Sequence, residues 1–291
     1  MANDHSYNND KTHCLCLCTV GRVVRTLPVG NTVIGVTSLA GEVYLLRMKE
    51  REQVEVYDAI TYRPLRHLTV PGFRSPTDMA SCEHYQCVYT SDHYDEYVHR
   101  FDVHAAVFTR WAVKDRPWDL SVNSSHNVLV TCPFVRKIKE FSSHGDLLRE
   151  LALPGDVINP WHTIQTQDNG YVVCHDWFGD TVNRVCKMSA DGCHIVHSSG
   201  GQPGPGNGQF SVPFHLALDN NEFVFVADFR NRRVRLLSPT LGHVRDIVSR
   251  DQLKWWPFRM CLDVQRRRLY VTDNEWKEGD SESGRVVVFS I

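Results

Sequence analysis

The sequence has no apolar run longer than a β-strand, so it offers no candidate for a transmembrane helix, and no membrane partner is expected. It also lacks segments of helical period, and no Gly/Ser linker or block of like charge divides it. The formal net charge of -2 argues against a broad nucleic-acid footprint, so DNA binding is not expected. The Gly-rich stretch 200–208 is not followed by the Lys-Ser/Thr of a phosphate-binding loop, and there is no serine nucleophile elbow. These absences favour one all-β domain without an obvious catalytic motif.

The N-terminus has neither a basic start nor an apolar core, so no secretory signal is predicted. Residues 1–19 are expected to be a disordered lead-in, and the protein is expected in the cytoplasm. In that compartment the ten cysteines should stay reduced rather than form a disulfide framework. Half of them lie in or beside apolar strands, where cysteine behaves as a small hydrophobic residue: Cys87, Cys132, Cys174, Cys186 and Cys261.

The strongest positive pattern is a repeat. Residues 200–240 contain a Gly-rich loop and three short apolar strands separated by Asp/Asn turns, which is typical of a small antiparallel meander. Six such segments align on the residue that ends the second strand, with a mean spacing of about 45 residues, the period of a four-stranded propeller blade. The aligned residues are Met48, Asp92, Cys132, Asp176, Asp228 and Asp273.

A second marker precedes each strand pair. It is a proline, usually followed by an aromatic residue, and it occurs at Pro76, Pro117, Pro160, Pro213 and Pro257, while the first unit has GNTVIGV instead. The last unit supplies only three strands, and an unpartnered strand, RVVRTL, precedes the first unit. The sequence therefore predicts a six-bladed β-propeller of four-stranded antiparallel blades over residues 20–291, closed by an N-terminal strand that completes the last blade.

The fifth unit resembles the NHL repeat. The matching residues are Gly208, Gln209, Phe210 and Pro213 in the approach, and Asp228, Asn231, Arg233 and Val234 in the corner. The resemblance extends from about residue 20 to residue 291, and the chain is similar to the C-terminal propellers of tripartite-motif (TRIM-NHL) proteins, in particular a divergent invertebrate-type branch. It implies a role in substrate recognition within ubiquitin-ligase systems, and some propellers of that group bind RNA.

One group of candidate site residues should lie in the central channel, because the first strand of each blade lines it. The residues that follow the Pro-aromatic positions are Asp78, Asp119, His162, His215 and Arg259. Their side chains could form a metal or acid–base site, with His162 and His215 as the metal candidates, as in a similar six-bladed amidating lyase. The favoured alternative is a polar ring whose members neutralise one another, since buried charge must be compensated. No cofactor is therefore expected.

A second group should lie on the loop-rich face formed by the corners between the second and third strands. It comprises Tyr94, Phe134, Arg136, Trp177, Phe178, Phe229, Arg230, Arg232 and Trp276. Aromatic rings mixed with charges suit protein recognition. Rings and cations together also suit single-stranded RNA, because bases stack and phosphates attract positive charge.

The sequence thus favours a non-catalytic recognition scaffold, monomeric as an isolated domain, that binds a protein or peptide on this face. RNA binding on the same face is the first alternative. A metal-dependent lyase or lactonase that uses the channel histidines is the second.

Overall fold

A computed structural model describes residues 20–28, 30–48, 53–175, 182–275 and 283–291. The expected lead-in, residues 1–19, lies outside these ranges. Within them the secondary structure consists of β-strands and two short 3-10 turns, Pro133–Val135 and Arg250–Gln252. In the described ranges no helix has the length and apolar composition needed to cross a membrane.

The first strand, β1, covers Arg22–Thr26. Strands β2 to β5 of blade 1 are Val33–Leu39, Glu42–Arg47, Gln53–Asp58 and Pro64–Thr69. Strands β6 to β9 of blade 2 are Pro76–Cys82, Cys87–Asp92, Tyr97–Asp102 and Val107–Ala112. Strands β10 to β13 of blade 3 are Asp119–Val122, Val128–Cys132, Lys137–Phe141 and Leu147–Ala152.

Strands β14 to β17 of blade 4 are Pro160–Gln165, Tyr171–His175, Arg184–Met188 and Ile195–Gly200. Strands β18 to β21 of blade 5 are Pro213–Leu218, Val224–Asp228, Arg233–Leu237 and His243–Val248. Strands β22 to β24 of blade 6 are Trp256–Asp263, Arg268–Asn274 and Gly284–Ser290.

The six sheets form a closed ring. In blades 1 to 5 the four strands pair in chain order, and every described pairing is antiparallel. Blade 6 has the order β1-β24-β23-β22, so the N-terminal strand supplies its outer edge. The innermost strands β2, β6, β10, β14, β18 and β22 each pack against the innermost strands of both neighbouring blades. The prediction of a six-bladed propeller closed by the N-terminal strand is confirmed.

The core lies between the blades, and burial falls from the inner strands to the outer ones. The second strands of blades 2 to 5 are buried along their whole length, whereas β1, β5 and β9 are largely exposed. The second strands of blades 1, 2, 4 and 6 each bury a tyrosine completely, at Tyr44, Tyr89, Tyr171 and Tyr270. Aromatic and β-branched side chains fill such pleated surfaces well, and their burial supplies the main driving force for the fold.

A recurrent aspartate at the end of the second strand holds the corner of a blade together. The Asp228 carboxylate accepts hydrogen bonds from the Ser211 backbone N–H at 2.7 Å, from Asn231 Nδ2 at 2.8 Å and from Arg233 Nε at 2.7 Å. Asp92 and Asp273 accept two backbone N–H groups each from the equivalent loops. The repeat marker therefore has a structural cause: in blades 2, 5 and 6 the aspartate ties the loop that enters the blade to the blade's corner.

Candidate functional site: the central channel and the face around it

A β-bulge at the start of the innermost strand positions the channel residues. The register shifts between Val33 and Gly35, Pro76 and Asp78, Pro160 and His162, Pro213 and His215, and Pro257 and Met260. A bulge re-aims the side chains beside it, and it is tolerated here because the innermost strand has no further strand on its channel side. The bulges thus re-aim the channel residues of blades 2, 4, 5 and 6, whereas Asp119 of blade 3 begins its strand in regular register.

The structure brings the five predicted channel residues together. Asp78, Asp119, His162 and His215 are all buried, and one potential ligand atom from each lies within 4.8 Å of the others. Arg259 enters the same cluster and is 1% exposed. The sixth position is Gly35, which has no side chain to offer.

The guanidinium of Arg259 contacts both carboxylates. Its Nη2 lies 2.6 Å from Asp119 Oδ1, its Nη1 lies 3.0 Å from Asp119 Oδ2, and its Nε lies 3.2 Å from Asp78 Oδ1. It also donates to the carbonyl oxygens of Thr77 at 2.9 Å and Ile34 at 3.3 Å. One side chain of blade 6 therefore connects blades 1, 2 and 3 through their innermost strands.

The two imidazoles stack on each other, with ring centroids 3.9 Å apart. His162 is satisfied by the backbone as a neutral ring: Nε2 lies 3.1 Å from the Leu120 carbonyl oxygen, and Nδ1 accepts the Leu216 N–H at 3.3 Å. His215 Nε2 lies 3.8 Å from Asp78 Oδ2. Its Nδ1 has no hydrogen-bond partner among the described residues.

The electrostatics of the cluster follow from its burial. Burial raises the pKa of the Asp119 carboxyl well above its usual range. Burial acts on Asp78 in the same direction, but the charge of Arg259 and the nearby imidazole of His215 outweigh it and leave the pKa of Asp78 below its usual value. Burial also lowers the pKa of both imidazoles. The positive charge of Arg259 is thus opposed by the Asp78 carboxylate, whose pKa is lowered, while the raised pKa of Asp119 limits the build-up of a second buried negative charge.

This donor set has the chemistry of a zinc site, but its atoms are already engaged. Both carboxylates contact Arg259 and both nitrogens of His162 face backbone groups, whereas Nδ1 of His215 has no hydrogen-bond partner among the described residues. A divalent ion would have to displace the guanidinium, whose own positive charge opposes it. As folded, the donor atoms of the cluster face one another, Arg259 and the backbone, and they do not fit a metal ion.

A layer of aromatic rings covers this core on the loop-rich face. Trp118, Trp161, Phe214 and Phe258 are successive neighbours, with centroid separations of 5.2, 5.5 and 4.4 Å. We call these four residues the collar. Two of its rings also lie close to Arg259, whose Cζ is 4.6 Å from the centroid of Phe258 and 5.0 Å from that of Phe214.

The collar has a gap in blades 1 and 2, where Ile34 and Thr77 occupy the equivalent positions. A cavity of about 240 Å³ opens there. Its lining consists of Ile34, Met48, Ser75, Pro76, Thr77, His93, Tyr94, Trp118, Phe258 and Arg259. The cavity exists because two blades lack the ring that the other four provide.

Exposed aromatic residues stand beside this cavity. Tyr94 is 68% exposed and Phe134 is 64% exposed. The ring of His93 lies between them, 5.2 Å from Tyr94 and 5.5 Å from Phe134, and it packs at 5.0 Å on Trp118. Arg116 lies over the Phe134 ring at 5.7 Å. We call His93, Tyr94, Phe134 and Arg116 the aromatic rim.

The other predicted face residues have different surroundings. Arg136 and Arg230 are exposed, and Arg136 donates to the Gly155 carbonyl oxygen at 3.4 Å. Arg232 is committed to the backbone, since its guanidinium donates to the carbonyl oxygens of Leu253, Lys254 and Trp255. Phe229 is half-buried against Phe214, Trp256 and Phe258. Trp177, Phe178 and Trp276 lie outside the described residues.

Sequence reasoning missed His93, Arg116 and the cavity itself. A signal for the cavity was present: unit two reads Pro-Thr-Asp where units three to six read Pro followed by Trp or Phe. His93 and Arg116 carried no such signal, because their roles depend on the packing of blade 2 against blade 3.

Comparison with known proteins supports an NHL-type propeller. No protein-family model matches the chain. It is 26% identical over 159 residues to human NHL repeat-containing protein 3, an alignment that covers 47% of this chain and 45% of that protein. The mouse protein of the same name is 26% identical over 150 residues, covering 44% and 43%. The chain therefore matches somewhat less than half the length of these relatives.

Among solved structures, virginiamycin B lyase from Staphylococcus aureus superimposes with a TM-score of 0.61 at 10% identity, covering 91% of this chain and 98% of that one. A Bacteroides thetaiotaomicron protein of unknown function superimposes with a TM-score of 0.67 at 13% identity, covering 92% and 72%. Identities this low establish the shared fold alone.

Proposed function

We propose that the protein is a non-catalytic recognition scaffold that binds a protein or peptide partner at the aromatic rim and the collar gap. The observation that carries this proposal is the juxtaposition of a cavity of about 240 Å³ with two strongly exposed aromatic side chains, Tyr94 and Phe134. A partner would bury both rings and insert one bulky apolar side chain between Trp118 and Phe258.

The chemistry of the rim suits a protein ligand. Tyrosine and arginine are enriched among residues that dominate interface energetics, because they combine apolar area with hydrogen-bonding groups. The Arg116 guanidinium is held over Phe134, so its planar donors are already oriented. The cavity wall is apolar at Ile34 and Met48, which favours a hydrophobic anchor side chain over a charged one.

The scaffold beneath the rim is suited to hold it in place. Tyr94 and Phe134 stand on corners between strands of blades 2 and 3, and both blades are hydrogen-bonded throughout. A rigid sheet framework that presents loops is a common arrangement for recognition, because little ordering entropy is lost on binding.

The local similarity to NHL repeat-containing protein 3 supports a scaffold of this kind. We further propose, from the resemblance to TRIM-NHL propellers, that the partner is a substrate delivered to a ubiquitin-ligase system in the cytoplasm. The seven described cysteines are unpaired, which is consistent with a reducing compartment.

The test is a peptide selection against the purified protein, followed by affinity measurements for the enriched peptides. We expect peptides with one bulky apolar residue to bind, and both Tyr94→Ala and Phe134→Ala to weaken binding by at least about tenfold, as for typical interface hot spots. Leu147→Ala is the matched control, since Leu147 is 53% exposed but lies on the outer strand of blade 3. The proposal would be contradicted if the enriched peptides bound the unmodified protein and all three variants equally, or if the selection enriched no peptide.

RNA binding on the same face is the second candidate, and the pairing of Arg116 with Phe134 is the observation that favours it. It ranks below protein binding because Arg74 is paired with Asp95 and Arg232 is engaged by backbone carbonyls. A single-stranded oligonucleotide retained at low salt, with affinity that falls steeply as salt rises, would favour RNA instead. A metal-dependent lyase is not favoured, because Arg259 already contacts both channel carboxylates.

A further inference from the structure

Two cysteines of blade 2 face each other on the opposite side of the molecule from the aromatic rim. Cys82 ends β6, Cys87 begins β7, and the two are direct partners in the antiparallel register. Directly opposed residues of antiparallel strands have Cα atoms about 4.5–5.5 Å apart. That separation lies within the range that a disulfide spans, so an Sγ–Sγ bond needs no change in strand pairing.

The two thiols are chemically unequal. A hydrogen bond from Cys87 lowers the pKa of the Cys82 thiol to about 6, with further help from the backbone N–H groups of Tyr85 and His84 in the connecting loop. The same hydrogen bond, together with burial, raises the pKa of Cys87. Cys82 is therefore the nucleophile of the pair and Cys87 the proton-bearing partner.

Other buried cysteines in the described ranges have no such arrangement. Burial raises the pKa of Cys132 to about 12 and that of Cys186 to about 11. Cys193 is exposed, but it is not opposed by a second cysteine in any described strand pairing. The opposed, unequal pair distinguishes Cys82 and Cys87 from thiols that only pack.

The loop that covers the pair provides access. Cys82 and Cys87 are themselves buried, but residues 83–85 are exposed, and Tyr85 is 37% exposed. Short exposed loops open at low free-energy cost compared with the strands that they connect. We expect opening of this loop to admit hydrogen peroxide to Cys82 while β6 and β7 stay paired.

We propose that Cys82 and Cys87 form a peroxide-sensitive redox pair. The Cys82 thiolate attacks a peroxide, the O–O bond breaks, and Cys82 becomes a sulfenic acid while hydroxide or alkoxide leaves. The Cys87 sulfur then attacks the Cys82 sulfur, and the hydroxyl leaves with the Cys87 proton as water. Two electrons pass from the sulfur pair to the peroxide, and a thiol reductant reverses the disulfide.

The sequence allows a direct test on the unmodified full chain. No Lys or Arg lies between Arg74 and Arg100, so trypsin releases both cysteines in one peptide, residues 75–100, which contains no third cysteine. After brief hydrogen peroxide treatment of the folded protein and alkylation, we expect this peptide to lose two hydrogens and carry no alkyl group, and to recover two alkylation sites after reduction. A peptide 75–100 that stays doubly alkylated while exposed Cys193 is oxidised would overturn the proposal.

Two single variants test the order of the steps. Cys87→Ser should accumulate a sulfenic acid at Cys82 that dimedone traps, because the resolving thiol is gone. Cys82→Ser should leave Cys87 unlabelled under the same conditions. Equal labelling of the two variants, or disulfides that join either residue to Cys193, would show that the pair does not act as proposed. Circular dichroism of both variants shows whether the fold is retained.

Discussion

Among single residues, the guanidinium of Arg259 is the counter-charge of both channel carboxylates. It is buried, it contacts Asp78 and Asp119, and it joins blade 6 to three others. Removing one member of a buried ion cluster leaves the remaining charges without compensation, which costs more than the cluster itself contributes.

We therefore expect Arg259→Met to lower the free energy of unfolding by about 3–5 kcal/mol in a urea titration. Arg259→Lys is the matched control, because it keeps the charge but cannot make the bidentate contact with Asp119. We expect it to lower the free energy of unfolding by less than Arg259→Met does. Lower pH should restore part of the stability of the Met variant, since the carboxylates can then be protonated. A loss below about 1 kcal/mol for Arg259→Met would contradict this account of the channel.

A second residue-scale prediction concerns pH. Burial lowers the pKa of His175 to about 4, and nearby Arg184 adds to the effect. The unfolded imidazole takes up its proton near pH 6.5. Between pH 6.5 and about 4 the unfolded chain therefore binds one proton more at this position, and stability falls as the pH falls.

Replacing His175 with Gln should make the decline of unfolding free energy with pH shallower by up to about 1.4 kcal/mol per pH unit in this window. Urea titrations at pH 6.5, 5.5 and 4.5 measure it. The unmodified protein, titrated under the same conditions, is the control. Identical slopes for the variant and the unmodified protein would rule out His175 as a buried neutral histidine.

At the scale of one element, the corner aspartate explains why the repeat has its form. Asp228 is fully buried and satisfies a backbone N–H, an asparagine and an arginine at once, whereas Asp95 in the corner of blade 2 makes an ion pair of 3.3 Å with exposed Arg74. Both are corner aspartates with an arginine partner, and they differ in burial.

Asp228→Ala should therefore cost about 3 kcal/mol or more of unfolding free energy, because Arg233 loses the nearer of its two carboxylate partners and the Ser211 N–H and Asn231 Nδ2 lose their acceptor. Asp95→Ala should cost less than about 1 kcal/mol, as is usual for exposed ion pairs. Thermal and urea unfolding of the two variants side by side provide the measurement. Comparable losses of unfolding free energy in the two variants would mean that the buried hydrogen bonds of Asp228 do not stabilise the corner of the blade.

The blades were predictable from the sequence because their determinants are local. Turn residues, strand length and the corner aspartate recur at a fixed period, so β18 to β20 of the fifth unit could be located within about two residues. Blade 1 is the least regular in sequence, yet its four strands form because neighbouring blades bury its faces.

The site was less predictable because its contacts are distant in sequence. The Pro-aromatic marker places five side chains at equivalent positions, but the contact between Arg259 and Asp119 joins residues 140 apart, and its geometry depends on the closed ring. The cavity forms because Thr77 stands where other blades have a Trp or Phe ring. Its walls are the rings of neighbouring blades, so the cavity is defined only once those rings are placed by the closed fold.

At the scale of the whole molecule, the ring closes through one antiparallel pair, β1 with β24. Arg22 is the register partner of Ser290, and Gly21 N–H donates to the Ile247 carbonyl oxygen of blade 5. The pairing joins the two ends of the described chain, so its loss would leave β24 with an unpaired edge.

A designed disulfide tests this closure directly. Arg22→Cys with Ser290→Cys, in a Cys193→Ser background, places two thiols on directly opposed strand positions at the surface. Because the bond closes a loop of nearly the whole propeller, the oxidised form should exceed the reduced form by up to about 5 kcal/mol in unfolding free energy. The same protein with reductant is the matched control, and peptide mapping identifies the bond. If the two thiols fail to pair in the folded protein while both can still be alkylated, β1 does not complete blade 6. The recognition proposal, which depends on a rigid closed ring, would then have to be abandoned.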